Sequence, residues 1–136
     1  MGSSQSYVKK VNFEDIKKCK YNNSILINTI PENNQDCLIY NTVSIDNEIK
    51  IVEDAIKNKK NIIIYGINCN DESVYKKYEQ LIKLGHINVY IYLGGLFEWL
   101  LLQDIYGNEE FKTTSVLRDL LKFKPNSDID KLLIKN

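Results

Sequence analysis

The residue of this chain with the clearest potential for chemistry is Cys69, which lies in a short polar loop before a predicted helix. A thiol near a helix N-terminus has a lowered pKa, and the thiolate is the form that acts as a nucleophile. Asp71 and Glu72 follow in the first predicted helical turn, and nearby carboxylates raise the pKa of a thiol. Cys69 therefore has two interpretations, a nucleophile or an incidental thiol in a capped loop.

The loop around Cys69 contains no cationic side chain. An anionic substrate is best bound by the arginine fork, and the single arginine of the chain, Arg118, lies near the C-terminus. Asn70 or Asp71 is the expected cap of the helix that follows. The candidate site consists of Gly66, Ile67, Asn68, Cys69, Asn70, Asp71, Glu72 and Ser73.

The remaining cysteines and the single histidine give no metal site. Cys19, Cys37 and Cys69 form no Cys-x-x-Cys pair, and together with His86 their spacing is unlike that of structural zinc sites. Unpaired cysteines favour a reducing compartment, so we expect a cytoplasmic protein with no metal and no cofactor. We expect Cys19 and Cys37 to fill the core, and His86, beside Gly85, to lie at the surface of a turn.

The N-terminal residues match the pattern for myristoylation, with Gly2 as the acylated residue and Ser6 at its second fixed position. Lys9 and Lys10 follow, and lysines help a single acyl chain to hold a protein on an acidic membrane. Vector-derived sequences also begin with Met-Gly-Ser-Ser, so both origins remain open. The sequence predicts a disordered segment over residues 1–10, with peripheral membrane association when Gly2 is acylated.

The composition is that of an ordinary globular protein. The chain has 136 residues, 43% of them hydrophobic and 26% charged, and its formal net charge is zero. This length is enough for one domain with one core, and a zero net charge provides no basic face for nucleic acid. The longest apolar stretch, residues 91–102, contains Glu98 and is too short to span a bilayer, and no signal-peptide segment is recognisable.

Strands and helices alternate around the candidate loop. This alternation predicts an α/β fold, a mostly parallel five-stranded sheet with helices on both faces. The loop then lies at the carboxyl edge of the sheet, where open α/β sheets place their sites. Strands are predicted at residues 11–13, 25–28, 37–40, 62–65 and 89–92, and helices at 14–19, 46–58, 72–84 and 96–106, with Asn12 and Gly85 as caps.

The segment 88–99, NVYIYLGGLFEW, resembles the C-terminal half of rhodanese-like domains. In both, a helix closed by glycine precedes an apolar strand, a Gly-Gly pair and a tryptophan in the next helix. The resemblance covers residues 11–106, which we take as the domain. Residues 107–136 are predicted to form a helical extension, its two short helices capped at Thr114 and by Ser127 with Asp130. We expect Gly94, Gly95 and Trp99 to be structural.

The resemblance implies a scaffold that lacks its sulfur-carrying residue. In that family a cysteine follows the central strand, and backbone N–H groups converge on its sulfur. Gly66 stands at this position when counted from the strand and Asn68 when counted back from the next helix, so Cys69 is the nearest thiol. The Asp-Val-Arg end of the preceding strand is also missing, because Asn28 and Ile30 replace the acid and the arginine.

Two functions of different classes fit these features. The first is a non-catalytic rhodanese-like module that binds a protein partner or has a structural role. The second is a divergent sulfurtransferase that carries a persulfide on Cys69. The ending GGLFEWLLLQDIYG is similar to that of rhodanese-like proteins of protists and large DNA viruses, so a virus-particle component is a further hypothesis. An apolar stripe in the extension either forms an interface or packs on the domain; it comprises Val116, Leu117, Leu120, Leu121 and Phe123.

Overall fold

The computed structural model describes residues 8–127 and residue 129, and in this part of the chain one parallel sheet forms the centre of the fold. Its strands are β1 (Lys10–Val11), β2 (Ser24–Asn28), β3 (Asn61–Tyr65) and β4 (Val89–Tyr92), in the spatial order β1-β4-β3-β2. The register places Ile27, Ile64 and Ile91 side by side across three strands. The predicted α/β class with a parallel sheet is therefore confirmed.

Helices connect these strands, and two of the predicted caps, Asn12 and Gly85, are present. Asn12 caps the first helix in a reciprocal capping box, since its side chain accepts N–H groups of Glu14 and Asp15 while Asp15 accepts the N–H of Asn12. Gly85, with a φ of +98°, ends the third. The helices are α1 (Phe13–Lys17), α2 (Glu48–Lys57), α3 (Ser73–Lys83) and α4 (Gly95–Tyr106), with 3-10 turns at Glu32–Asn34 and Leu120–Phe123. Among the described residues, none of the helices has the length and apolar character that crossing a bilayer requires.

The sheet separates two hydrophobic layers. Along β3, Ile62 and Ile64 pack with side chains of α2 and α3, whereas Ile63 and Tyr65 pack with side chains of α1 and α4. All four of these β3 side chains are at most 1% exposed. A strand covered on both faces is apolar without alternation, which explains the run of isoleucines in β3.

Residues 37–40, predicted as a fifth strand, do not join the sheet. Ile39 makes one isolated antiparallel bridge to Thr113, and its N–H donates to the Tyr65 hydroxyl at 3.2 Å. Thr42 makes one isolated bridge to β2. The segment is buried like a strand, but side chains and single bridges satisfy its backbone in place of a ladder. In the described residues the sheet has four strands and not five.

The described part of the extension packs into the same core as α4. Phe111 and Phe123 are buried at 3% and 5% exposure. The Trp99 ring lies 5.0 Å from the Phe111 ring, centroid to centroid, and its indole Nε1 donates to the Lys112 carbonyl at 2.9 Å. Because these contacts are internal, residues 107–127 complete the hydrophobic layer around α4.

The helices predicted for the extension differ from what the structure contains. The first is reduced to the 3-10 turn Leu120–Phe123, and Thr114 Oγ1 accepts the N–H of Leu38 at 3.0 Å and caps no helix. The second was predicted around Ser127 and Asp130, and most of it lies outside the described residues. The predicted acylation site, Gly2, also lies outside them. Of the apolar stripe, Phe123 is buried, Leu117 and Leu120 pack against the core, and Val116 and Leu121 are exposed.

Candidate functional site

The candidate loop, residues 66–73, joins the carboxyl end of β3 to α3 and is held from behind by α4. The N–H of Leu96 donates to the Gly66 carbonyl, and the N–H of Phe97 donates to the Ile67 carbonyl, both at 2.9 Å. Gly95 permits this approach, because its φ is +66° and a Cβ there would lie 2.6 Å from the Gly66 oxygen. Gly95 therefore has a structural role in positioning the loop.

The carboxylate of Asp71 is the group on which the donors of the loop converge. Its Oδ2 accepts the N–H of Ile67 at 2.9 Å. Its Oδ1 accepts the N–H of Ser73 at 3.1 Å and the Ser73 hydroxyl at 2.5 Å. The Ser73 oxygen also lies 2.8 Å from Thr29 Oγ1, in the segment after β2. A carboxylate in this position is favoured both by charge-assisted hydrogen bonds and by the dipole of α3.

Asp71 also fills the space beside Gly66. A Cβ on residue 66 would overlap Asp71 Oδ2 and would lie 2.6 Å from Val74 Cγ2, closer than real Cβ contacts come. Gly66 is buried, so such a side chain has no outward path. While Asp71 keeps this conformation, position 66 accepts no residue larger than glycine.

Cys69 lies outside this arrangement, on the exposed outer turn of the loop. Its Sγ is 3.8 Å from Oδ1 of Asn70. Asn68 shapes the turn, because its Oδ1 accepts the N–H of Asn70 at 2.9 Å and its carbonyl accepts the N–H of Asp71 at 3.2 Å. The fold thus brings Asp71 and Ser73 together and leaves Cys69, Asn70 and Glu72 at the surface.

An open cleft of about 740 Å³ lies over the loop. The extension contributes one wall, since Asn68 Nδ2 donates to the Phe123 carbonyl at 3.0 Å and Asn126 faces the cleft. No lysine or arginine of the described residues lines it, so the cleft does not favour a small anion. The lining consists of Ile67, Asn68, Asn70, Asp71, Glu72, Ser73 and Asn126.

The other cysteines form no second reactive centre. Cys37 is buried, with its Sγ 3.4 Å from the Ser115 carbonyl. Burial, with a smaller contribution from the Asp15 charge, raises the pKa of Cys19 to about 11, so this thiol stays protonated at neutral pH. Within the described ranges, no three His, Cys, Asp or Glu side chains come together as a metal site needs.

His86 is buried, contrary to the expectation that it lies at the surface. Only 6% of the residue is exposed. The left-handed conformation of Gly85 turns the chain back toward the sheet, and the N–H of His86 donates to the Leu81 carbonyl at 3.1 Å. Burial lowers the pKa of His86, because the charged imidazolium loses hydration.

Two buried tyrosines were not recognised in the sequence as polar anchors. The Tyr65 hydroxyl lies 2.7 Å from Thr42 Oγ1, and the Tyr92 hydroxyl donates to a carboxylate oxygen of Glu98. Burial is the main cause that raises the pKa of each hydroxyl. The signal in the sequence for the second pair was Glu98 itself, a lone acid within an apolar stretch.

The comparisons with known proteins identify a shared fold. No protein-family model matches the sequence, and no curated protein matches it. A crystal structure of the Alr3790 protein from Anabaena sp. matches with a TM-score of 0.54 and 14% identity, over 92% of this chain and 90% of that chain. Residues 1–106 are fewer than 92% of the chain. The matched region therefore includes part of the extension. At this identity the similarity concerns the fold alone.

Proposed function

We propose that this chain is a rhodanese-like domain without a sulfur-carrying residue and that it acts by binding a protein partner. The supporting observation is the position of the Asp71 carboxylate. It accepts the N–H groups of Ile67 and Ser73, and it fills the space beside Gly66, the position of the family's cysteine when the resemblance is counted from the central strand. A carboxylate reproduces the negative charge of a thiolate in such a cradle, but it forms no persulfide.

The chemistry of the cleft supports a partner that offers hydrogen-bond donors. Asp71 and Glu72 are the charged side chains among its lining residues, which are otherwise amides, a hydroxyl and one isoleucine. A protein segment with lysine or arginine side chains, or with free backbone N–H groups, complements this surface. Asn126 gives the segment a second wall to contact, on the side of the extension.

A sulfur-transfer assay tests the absence of catalysis. With thiosulfate as donor and cyanide as acceptor, we expect no turnover by the wild-type protein and no gain of one sulfur atom in its intact mass. Cys69→Ser is the matched variant, because it removes the exposed thiol and changes no contact of Asp71. Turnover or a persulfide that disappears in Cys69→Ser would contradict the proposal and favour the divergent sulfurtransferase.

A designed variant tests whether the cradle is intact. In Gly66→Cys combined with Asp71→Ala the carboxylate is removed, and a rotation of the Val74 side chain gives the new Cβ room, so the thiol lies beside the N–H of Ile67 and of Ser73. We expect the new thiol to react with the neutral reagent iodoacetamide at a lower pH than free cysteine does, because N–H groups stabilise its thiolate. A folded double variant whose new thiol reacts only at the pH of free cysteine would argue against a cradle for a thiolate at this position.

Crosslinking in extracts of the natural source tests the partner. Glu72→Lys reverses a charge that lines the cleft, and Glu79→Lys reverses an exposed charge on α3, outside the cleft. We expect a crosslinked protein that is kept by Glu79→Lys and lost by Glu72→Lys. A partner that is kept by both variants would place the interface elsewhere. The same experiment on purified virus particles tests the particle-component hypothesis.

A further inference from the structure

At the opposite edge of the sheet, α2 and α3 end in two turns of the same kind. In each, two consecutive N–H groups donate to carbonyls three and five residues earlier, the pattern of a Schellman motif. The donors are Lys59 and Lys60 after α2, at 3.1 and 2.8 Å, and Gly85 and His86 after α3, at 3.0 and 3.1 Å. Both turns therefore present their next side chains at the same end of the domain.

Lys59 occupies the position of this motif at which glycine is usual. Its φ is +56°, in the left-handed region, where a residue with a Cβ is strained. The corresponding residue after α3 is Gly85. The chain thus keeps a charged side chain at a position where glycine would be more stable.

These turns carry exposed aliphatic side chains and lysines, and we call this set of residues the basal patch. Its aliphatic residues, Ile56, Leu84 and Ile87, are 43%, 69% and 73% exposed. Ile56 and Ile87 line one groove of about 300 Å³ together with Lys59 and Lys60, and no acidic residue of the described chain lines that groove. Lys9 joins the basal patch, because its Nζ donates to the Ile87 carbonyl at 2.7 Å.

Offsetting helix dipoles does not account for the whole patch. Lysines at helix C-termini serve that purpose, but Lys9 precedes a strand, and Leu84 and Ile87 carry no charge. Exposed aliphatic side chains beside several cations are typical of surfaces that enter the interface of a bilayer. We propose that the basal patch docks on an anionic lipid bilayer, with Leu84 and Ile87 at the acyl boundary and the lysines among the phosphates.

The path of the chain favours a bilayer over an acidic peptide as the occupant. Lys9 leads into β1 beside Ile87, so the residues before Val8 join the domain at the basal patch. An acyl chain on Gly2 would thus be connected to the domain at this edge and not at the cleft edge. The patch itself does not depend on acylation, because its residues belong to the folded domain.

Vesicle co-sedimentation of the full chain with an unmodified N-terminus tests this proposal. We expect binding to phosphatidylcholine vesicles that contain phosphatidylserine, reversal by high salt, and little binding to phosphatidylcholine alone. One lysine near an anionic surface changes the partition coefficient about fivefold. Lys59→Gly is therefore expected to weaken binding about fivefold while raising the thermal midpoint, so its loss of binding has no origin in misfolding. Ile87→Ser is expected to weaken binding through the lost apolar contact.

The control variants change similar side chains away from the patch. Ile49→Ser alters an isoleucine that is 77% exposed near the start of α2, and Lys76→Glu alters an exposed lysine in the first half of α3. Both are expected to bind vesicles like the wild type. The proposal would be overturned if the protein did not bind phosphatidylserine vesicles, or if Lys59→Gly and Ile87→Ser left the binding unchanged. It would also be overturned if the protein bound a Leu/Glu peptide and not the vesicles.

Discussion

The carboxylate of Asp71 lies where a side chain on Gly66 would project. One of its oxygens overlaps the position of a Cβ on residue 66 and accepts the N–H of Ile67 at 2.9 Å. The two positions are therefore coupled sterically and through the hydrogen bonds of the loop. Neither residue changes without a consequence for the other.

This coupling predicts a non-additive pair of substitutions. Gly66→Ala should lower the free energy of unfolding by about 1–3 kcal/mol, because a Cβ is forced into a filled site. Asp71→Ala should cost about 1–3 kcal/mol, because the N–H groups of Ile67 and Ser73 lose their acceptor. In the double variant the cost of Gly66→Ala should fall by at least about 0.5 kcal/mol, measured by urea denaturation.

An exposed aspartate on another helix provides the comparison for this cycle. Asp104→Ala on α4 removes a carboxylate away from the loop, so its effect should add to that of Gly66→Ala within experimental error. Additive effects for Gly66→Ala and Asp71→Ala would mean that the carboxylate does not occupy this space in solution.

The three cysteines should differ strongly in reactivity. Iodoacetamide near neutral pH should modify Cys69 first, because it is exposed, whereas Cys37 is buried and the pKa of Cys19 is raised to about 11. Peptide mass spectrometry over a time course measures the order. Modification of Cys19 at the rate of Cys69 would show that the segment after α1 opens readily.

The raised pKa of Cys19 also predicts how stability changes in alkali. The unfolded thiol loses its proton near 9.0, but the folded thiol keeps it until about 11. Between these values the unfolded state binds fewer protons, so the free energy of unfolding falls as the pH rises. Cys19→Ala should make this fall shallower in the lower half of the window, before the tyrosines titrate.

The correctly predicted parts of the fold are those with local signals. The apolar run of β3, the cap at Asn12 and the terminating Gly85 each depend on neighbours within a few residues. These signals fixed the parallel α/β class and placed loop 66–73 at the sheet edge, which made the region of the candidate site predictable.

The parts that sequence could not predict depend on contacts between distant residues. Segment 37–40 is apolar enough for a strand, but the Tyr65 hydroxyl and Thr113 bind its backbone instead. In the loop, spacing identified Cys69 as the nearest thiol and Asn70 or Asp71 as the helix cap. That Asp71 also reaches back to Ile67 follows only from the space beside Gly66, which spacing does not reveal.

We expect Trp99 to stabilise both the domain and the extension, because its side chain contacts both. It is 3% exposed, its ring contacts Phe111, and its Nε1 donates to the Lys112 carbonyl. Trp99→Ala should cost about 3–5 kcal/mol, and it should make residues 107–127 sensitive to protease before the rest. Trp99→Phe keeps a ring and loses the hydrogen bond, so it should cost less. Unchanged stability in Trp99→Ala would place the side chain outside the core.

The myristoylation pattern at Gly2 predicts that an acyl chain contributes to the location of the protein, in addition to the contact proposed for the basal patch. When Gly2 is acylated, Gly2→Ala should shift the protein from the membrane fraction toward the supernatant of fractionated cells, because a single acyl chain and the lysines act together to hold it. Lys9→Glu should weaken association less and in a salt-dependent way. Intact mass of the protein from its natural source is the direct check, and a retained Met1 or a free glycine would rule out the acyl chain.

Burial of His86 predicts a loss of stability in weak acid. Its pKa is lowered from the ordinary value of 6.5. Just below pH 6.5 the imidazole therefore binds a proton in the unfolded chain but not yet in the folded chain. The unfolded state then binds more protons, and the free energy of unfolding decreases as the pH falls. Urea denaturation between about pH 5.5 and 7.5 covers this window, above the ordinary range of the carboxylates.

The variant His86→Gln isolates this contribution, because His86 is the single histidine of the chain. Its unfolding free energy should change less over the same window than that of the wild type, since glutamine does not titrate. An NMR titration of the imidazole gives the folded pKa independently. A value at or above 6.5 would mean that water reaches the ring, and the difference in slope between the two proteins should then vanish.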